Sequence, residues 1–130
     1  MVIDTSAIIA ILLAEPEAET LARTILADPK RLMSSFSLLE CSIVIEARKG
    51  EAGGRELDLL LHRLQVEIIS LSPEQVQLAR EVSRKFGKGR HKAALNIGDC
   101  CSYALARYTG EPLLFKGDDF NHSDIVWARW

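Results

Sequence analysis

Residues 1–13 read MVIDTSAIIAILL, a short apolar strand that passes directly into an apolar helix. Residues 1–4 suit a buried strand, and Thr5 and Ser6 supply the hydroxyl groups expected to cap the helix that follows. A strand joined so tightly to a helix predicts a β-α unit. In a sheet built from such units, ligands bind outside the carboxyl ends of the strands, which is where Asp4 falls.

The same alternation of strands and helices continues along the chain. Helices are predicted at 17–27, from Ser37 to Lys49-Gly50, at 56–64 after the break at Gly53-Gly54, at 72–86 and from Asp99 to Gly110, and strands at 31–34, 66–69, 112–115 and 124–128. Strands that alternate with helices imply right-handed β-α-β crossovers. The sequence therefore predicts an α/β fold with a mainly parallel sheet that is covered by helices on both faces.

Length and composition limit the possible classes of protein. The 130 residues are enough for a single domain, 1–130, and the net charge of −2 gives no overall attraction to nucleic acid or to anionic membranes. No apolar run is long enough to span a bilayer and no signal peptide is evident, so a cytoplasmic location is expected. Cys41, Cys100 and Cys101 lie in apolar stretches without metal-ligand spacing and are expected to be buried free thiols.

Acidic residues recur at four places along the chain. They are Asp4, Glu40, Asp99 and the pair Asp118-Asp119, each near a predicted element end or on an apolar helix face. Carboxylate oxygens are hard ligands that suit Mg²⁺ or Mn²⁺, and several in one pocket repel one another strongly unless a cation neutralises them. The pattern predicts a divalent-cation site.

Each acidic residue also has a structural interpretation. Asp4 and Asp99 could be helix caps, and Ser37-x-x-Glu40 fits a capping box. Glu40, however, shares its helix face with apolar residues and has no lysine or arginine within one turn, which favours a metal site. Side chains of adjacent residues diverge, so only one of Asp118 and Asp119 is expected to enter the pocket.

A basic, glycine-rich loop precedes the Asp99 helix. Its polar residues Lys88, Arg90, His91 and Lys92 could form an ordinary solvated connection, or could contact phosphate groups because of this position. Trp127 and Trp130 are expected to pack in the core or in an interface rather than to stack on bases.

Four segments together resemble the PIN-domain family, and within it the VapC-type toxins of bacterial toxin–antitoxin pairs. They are the opening Val2-Ile3-Asp4-Thr5-Ser6, the Glu40 helix, Leu95-Asn96-Ile97-Gly98-Asp99-Cys100 and Leu114-Phe115-Lys116-Gly117-Asp118-Asp119-Phe120. The resemblance covers essentially the whole chain. It implies a three-layer α/β/α sandwich with a four- to five-stranded parallel sheet and a Mg²⁺- or Mn²⁺-dependent endoribonuclease activity.

The resemblance also implies roles for individual residues. Asp4, Glu40 and Asp99 match the best-defined acidic positions of the family, Asp118 or Asp119 matches the fourth, and Thr5 or Ser6 matches a hydroxyl that orients the first aspartate. Asp4 and Asp99 are the expected metal ligands. The implied partners are an RNA, a VapB-like antitoxin and a second copy of the chain. The family favours tRNA as the substrate, with ribosomal RNA and messenger RNA as the alternatives.

Two other functions fit parts of the pattern. A PIN-like scaffold could bind RNA or protein without cutting, although retention of all four acidic positions disfavours it. A receiver-type phosphoacceptor domain has this length and fold class but requires paired acids after the first strand, whereas the pair here comes at the end.

Overall fold

A computed structural model describes residues 1–130. Along the chain, the elements are β1 (Val2–Ile3), α1 (Thr5–Leu12), α2 (Ala18–Ala27), β2 (Leu32–Ser34), α3 (Ser35–Arg63), β3 (Glu67–Ile69), α4 (Pro73–Phe86), α5 (Ile97–Thr109) and β4 (Leu113–Leu114). The helix ends follow local chemistry, since Ser72 caps α4 ahead of Pro73 and Gly110 ends α5 in the left-handed conformation. None of these helices combines the length and apolar character needed to cross a membrane.

The four strands form one parallel sheet in the order β3-β2-β1-β4. Helices cover both of its faces, with α1, α2 and α3 on one side and α4 and α5 on the other. The predicted α/β/α sandwich with a parallel sheet is confirmed, with four strands. Because all strands are parallel, their carboxyl ends share one edge, and we call this the carboxyl edge of the sheet.

Successive residues of β1, β2 and β4 divide between two hydrophobic clusters. Ile3, Met33 and Leu114 pack with α1, α2 and α3, whereas their neighbours Val2, Leu32 and Leu113 pack with α4 and α5. This division follows from the two-residue period of a strand, which points adjacent side chains to opposite faces. The central strand β1 and its neighbour β4 are therefore apolar at every position, as expected where a sheet is buried on both sides, whereas the edge strand β3 is largely exposed and includes Glu67. Cys41, Cys100 and Cys101 are buried free thiols, as predicted.

The third helix differs from the prediction at its start and in its middle. It begins at Ser35, with the Ser34 side chain accepting from the Phe36 amide, and it runs to Arg63 with one kink. The kink lies at Gly50, where φ is 65° and ψ is −160°, a conformation essentially restricted to glycine. The predicted break at Gly53-Gly54 is wrong because both residues are within the helix, and Gly53 packs so closely that a Cβ there would lie 2.9 Å from the Ile45 carbonyl oxygen.

The predicted last strand at 124–128 is reduced to a single bridge. The Leu113 amide donates to the Val126 carbonyl and the Ala128 amide donates to the Leu113 carbonyl, each at 2.9 Å, and Trp127 pairs with Leu113 in parallel. The C-terminal segment therefore extends the sheet beside β4 at one point only. It then runs toward the carboxyl edge, where the Trp130 indole donates to the Phe115 carbonyl.

Candidate functional site

The acidic residues meet at the carboxyl edge of the sheet. Asp4 directly follows β1, Glu40 lies in the second turn of α3 after β2, and Asp99 lies in the first turn of α5. Asp119 lies in the loop after β4. Four segments that are distant in sequence thus place carboxylates around one site, which we call the acidic site.

Asp4 is almost fully buried and is held by two serines. One carboxylate oxygen accepts from the Ser6 hydroxyl at 2.7 Å and from the Ser6 amide at 3.0 Å, and the other accepts from the Ser102 hydroxyl at 2.6 Å. Asp4 is itself the N-cap of α1, so the prediction that Thr5 and Ser6 supply the cap is wrong. The extended backbone at Asp4 is what lets its side chain both cap the helix and enter the acidic site.

Glu40 is fixed by a hydroxyl from another helix. The Thr5 hydroxyl donates to its Oε1 at 2.6 Å, and its carboxylate lies directly over Gly98. The capping-box interpretation of Ser37-x-x-Glu40 is wrong, since α3 starts two residues before Ser37 and the Ser37 hydroxyl instead pairs with that of Ser102 at 3.2 Å. Glu40 therefore contributes nothing to the start of its own helix, and its position is set by α1 and α5.

Asp99 is buried and belongs to the start of α5 without being its first residue. The cap is Asn96, whose side chain accepts from the Asp99 amide at 2.8 Å, while the Asp99 carboxylate accepts from the Asn96 amide at 3.0 Å. This reciprocal capping box immobilises the Asp99 side chain through one of its two carboxylate oxygens, Oδ2. Asp99 therefore does both things that its sequence context suggested, since it stabilises the helix start and faces the acidic site.

Asp118 and Asp119 diverge as expected. Asp118 is exposed and accepts from the Asn121 side chain at 2.8 Å within its own turn. Asp119 is also exposed, but its charge acts on the acidic site, because it contributes to raising the pKa of both Asp4 and Asp99. The electrostatics therefore favour Asp119 as the fourth acidic residue, and the contact with Asn121 leaves Asp118 in a solvated turn.

Burial and mutual repulsion dominate the electrostatics of the acidic site. Burial is the main cause that raises the pKa of Asp99 to about 7, and the charges of Asp4, Asp119 and Glu40 raise it further. Burial also raises the pKa of Asp4, although its bonds to Ser102 and Ser6 oppose the change. None of these four acidic residues forms a salt bridge with a lysine or arginine.

This donor set fits a hard divalent cation. The available donors are carboxylate oxygens, the hard ligands that suit Mg²⁺ and Mn²⁺, and no lysine or arginine forms a salt bridge with them. No group of three or more His, Cys, Asp and Glu side chains is already drawn together tightly enough to hold an ion. Binding would therefore pull the carboxylates inward from the hydroxyl and amide groups that position them.

The raised pKa of Asp99 predicts how stability depends on pH. Since the folded protein binds the Asp99 proton more tightly than the unfolded chain does, stability is highest below about pH 4 for this group and is lost as the pH rises through about 7. In EDTA, urea unfolding should show the free energy of unfolding falling by up to a few kcal/mol between about pH 4 and 7, at roughly 1.4 kcal/mol per pKa unit.

The matched control for this pH prediction is Asp99→Asn. In this variant the free energy of unfolding should fall less steeply with pH. Asp4 is responsible for the pH dependence that remains, because its pKa is also raised. Asp28 and Glu111 do not interfere, since their pKa values are lowered and they titrate below this range. An equal slope in both proteins would contradict the assignment to Asp99.

The predicted RNA-contacting residues fall into two groups. Lys88, Arg90 and Lys92 are exposed and form no salt bridges. His91 is half-buried, with its Nδ1 accepting from the Ala93 amide at 3.0 Å and its ring packed edge-on against Phe86, which indicates a role in holding the loop. Lys88 also lines a groove of about 770 Å³ between α3, α4 and the start of α5.

Five residues of the site region were not identified from the sequence. Ser102 and Asn96 position the two buried aspartates, Gly98 makes room for Glu40, and Arg80 and Arg84 line the groove beside Lys88. Ser102 could have been found from its spacing, because a residue three positions after Asp99 lies on the same helix face. The contact that gives it its role, to Asp4, is 98 positions distant in the sequence.

Known proteins are similar to this chain over nearly its full length. A family model described as the PIN domain matches residues 1–125. Ribonuclease VapC30 of Mycobacterium tuberculosis is 57% identical over 126 residues, which cover 97% of this chain and 96% of that protein.

Solved structures show the same fold at low sequence identity. The crystal structure of VapC20 of M. tuberculosis, a toxin that cleaves the sarcin–ricin loop, has a TM-score of 0.77 at 17% identity and covers 96% of this chain and 95% of that one. VapBC2 of Rickettsia felis, bound to a DNA fragment from its promoter, has a TM-score of 0.77 at 16% identity and covers 99% and 97%.

Proposed function

The chain belongs to the VapC group of the PIN-domain family, and from that premise we propose that it is a metal-dependent endoribonuclease that acts as the toxin of a toxin–antitoxin pair. The observation that carries the proposal is the set of four carboxylates at one edge of the sheet with no cationic partner from the protein. A set of that kind would be costly to keep for stability alone.

Asp4 and Asp99 are the proposed metal ligands, with Glu40 and Asp119 completing the site. A bound Mg²⁺ or Mn²⁺ would lower the pKa of a water molecule and offset negative charge that develops on the phosphate. No side chain is then required as nucleophile. This agrees with the burial of all three cysteines, whose thiol pKa values are raised so that they are poor nucleophiles.

The chain's own contribution is to hold the carboxylates in place before the RNA binds. Ser6 and Ser102 fix Asp4, Thr5 fixes Glu40, and Asn96 fixes Asp99. These donors also make the charged forms of the carboxylates less unfavourable in a buried site. Both effects favour a site whose approximate geometry is set by the fold, with the carboxylates moving inward when the ion binds.

An RNA strand must approach this acidic site without strong attraction from the whole molecule, whose net charge is −2. The unpaired cations Lys88, Arg90 and Lys92 are the proposed phosphate contacts, joined by Arg80 and Arg84 on the groove wall. We take tRNA as the first candidate substrate. The sarcin–ricin loop is the second, since VapC20 shares the fold and cleaves that loop.

A second copy of the chain is proposed to pack on an apolar face beside the groove, which leaves the cationic groove wall open to RNA. This face includes Leu39, Ile43 and Ile97, which are between 58% and 70% accessible. Leu39 and Ile43 lie one and two turns after the groove residue Phe36, so they continue the same face of α3. A continuous apolar face is typical of a protein interface. A monomer at micromolar concentration in sedimentation analysis would contradict this.

The second proposed partner is a VapB-like antitoxin. VapBC2, which shares this fold, is a toxin–antitoxin complex. The acidic site is complementary to a basic peptide, and a segment lying across it would exclude both metal and RNA. Co-expression with a neighbouring antitoxin-like reading frame should then abolish the ribonuclease activity.

The experiment that tests the function is an RNA cleavage assay under controlled metal supply. Purified chain, freed of any partner, is incubated with total tRNA and with a sarcin–ricin stem-loop in Mg²⁺, in Mn²⁺ and in EDTA. Discrete fragments are expected with either ion and none in EDTA. Intact RNA in every lane, from protein shown to be folded, would contradict cleavage of these RNAs and would favour a PIN-like scaffold that binds without cutting.

A further inference from the structure

Two tryptophans lie in the C-terminal segment, against the start of the loop that carries Asp119, and have no role in the function proposed above. Trp127 and Trp130 are the only tryptophans of the chain, and they remain 41% and 45% exposed. Together with Phe115, Gly117, Ala128 and Arg129 they line a pocket of about 260 Å³, which we call the indole pocket. Core packing, one of the two roles expected of these tryptophans beside packing in an interface, therefore accounts for only part of their surface.

The indole pocket is held rigidly by contacts to the core. The Trp130 indole donates to the Phe115 carbonyl at 3.0 Å, and the Trp127 ring packs edge-on against the Phe115 ring with centroids 5.1 Å apart. Phe115 is buried and packs in turn on Phe120, which is fully buried. Rigid aromatic side chains lose little conformational entropy when a ligand binds.

The pocket has one free cation. The Arg129 guanidinium lies over the Trp127 ring, 5.7 Å from its centroid, and forms no salt bridge. The other nearby cation, Lys116, is neutralised by salt bridges to Glu15 and Glu17. An arginine next to two exposed indoles offers a contact for a phosphate and flat surfaces for a base.

The position of the indole pocket connects it to the acidic site. Gly117 lines the pocket and Asp119 follows two residues later in the same loop. A nucleotide seated here would therefore be close to the phosphodiester at the acidic site. With about 260 Å³, the pocket is smaller than the roughly 300–1,000 Å³ of typical small-molecule sites and suits one flat group.

We propose that the indole pocket binds one unpaired nucleobase of the RNA, adjacent to the phosphodiester that is cleaved, with Arg129 contacting a neighbouring phosphate. This assignment rests on the proposed ribonuclease function. Stacking on tryptophan accepts any base, since every base has a π face. The indole pocket therefore selects for a single-stranded position in the substrate, such as a loop, rather than for a particular base.

Tryptophan fluorescence tests the proposal directly because both indoles lie in the pocket. A short oligouridylate, which has no secondary structure, is titrated into the Asp99→Asn protein in Mg²⁺. Quenching is expected on binding. Trp127→Ala in that background should weaken binding roughly 5- to 150-fold, the range that corresponds to the loss of one stacked base, whereas Trp127→Phe should restore most of it.

Tyr108→Ala is the matched control, since Tyr108 is an exposed aromatic residue in the last turn of α5, away from the acidic site. It should leave binding unchanged. If wild-type protein cleaves RNA but Trp127→Ala has the same kcat/KM and the oligouridylate causes no quenching, the pocket assignment is overturned. It is also overturned if Trp127→Ala weakens antitoxin binding alone, which would make the pocket a protein contact. Failure of the wild-type protein to cleave any RNA would instead overturn the proposed function.

Discussion

Asp99→Asn is expected to reduce RNA cleavage by at least about a hundredfold. Residues that only position a metal ligand typically contribute 10- to 100-fold, so loss of a proposed ligand should cost at least the upper end of that range. Asparagine has nearly the same shape, and its side-chain oxygen can still accept from the Asn96 amide. The helix start should therefore survive, and the kcat/KM of RNA cleavage in Mg²⁺ is the quantity to measure.

The same variant should be as stable as the wild-type protein or more stable at neutral pH. Burial and three neighbouring carboxylates disfavour the charged form of Asp99 and raise its pKa to about 7. A neutral side chain therefore removes the cost of burying this charge and its repulsion by the neighbouring carboxylates. Lower activity together with equal or higher stability in urea unfolding would separate a functional role from a structural one. A loss of both activity and stability would mean that Asp99 is mainly a helix cap.

Two comparisons make this test specific. Asp58→Asn removes a carboxylate from an exposed position on α3 outside the acidic site and should leave cleavage unchanged. Asp119→Asn should cost more activity than Asp118→Asn, because only Asp119 acts on both buried aspartates, whereas Asp118 is bonded to Asn121. The reverse order would assign the fourth acidic position to Asp118.

Gly98→Ala is expected to reduce cleavage by about a hundredfold without removing any charged group. A Cβ at this position would lie 2.6 Å from Oε1 of Glu40 and 2.8 Å from its Cδ, so the carboxylate must move. A displacement of about 1 Å at a reacting centre can cost on the order of a hundredfold in rate. Alanine is the better helix former by roughly 1 kcal/mol, so α5 itself should not be weakened.

Gly110→Ala is the matched control for this prediction. Gly110 ends α5 at a φ of 72°, and a Cβ there meets nothing within 4 Å. Alanine at that position should lower the stability by about 1 kcal/mol but leave activity intact. The combination of Gly98→Ala with Glu40→Asp, which has a shorter side chain, should be no worse than Gly98→Ala alone. Wild-type activity of Gly98→Ala would mean that Glu40 has no fixed position in catalysis.

Local sequence patterns predicted most elements correctly because each rests on short-range chemistry. Ser72-Pro73 marked the start of α4 and Gly110 the end of α5, and both are confirmed. The errors in the predicted helix start and helix break arose where a second residue nearby could give the same local signal. The helix direction breaks at Gly50, where a helix end was predicted, but the next helical segment runs through Gly53-Gly54, which was expected to be a break. The hydroxyl of Ser37 pairs with Ser102 across the core rather than capping α3.

The last predicted strand failed for a related reason. Residues 124–128 have strand-like composition, yet only Trp127 pairs with β4. The segment is at the edge of the sheet, so its backbone has a partner on one side only and its neighbours can turn away at small cost. Composition could not indicate how many residues would pair.

The sequence by itself determined the family and the α/β fold and singled out Asp4, Glu40 and Asp99 as candidate site residues, because strand and helix periods and the residues that flank each acidic residue are local features. Only the tertiary structure decided how these residues are held. The bonds of Ser102 to Asp4 and of Thr5 to Glu40 join residues 98 and 35 positions apart, and the space for Glu40 comes from a glycine on another helix. Such contacts exist only after the sheet has brought its carboxyl ends together, and no local pattern encodes them.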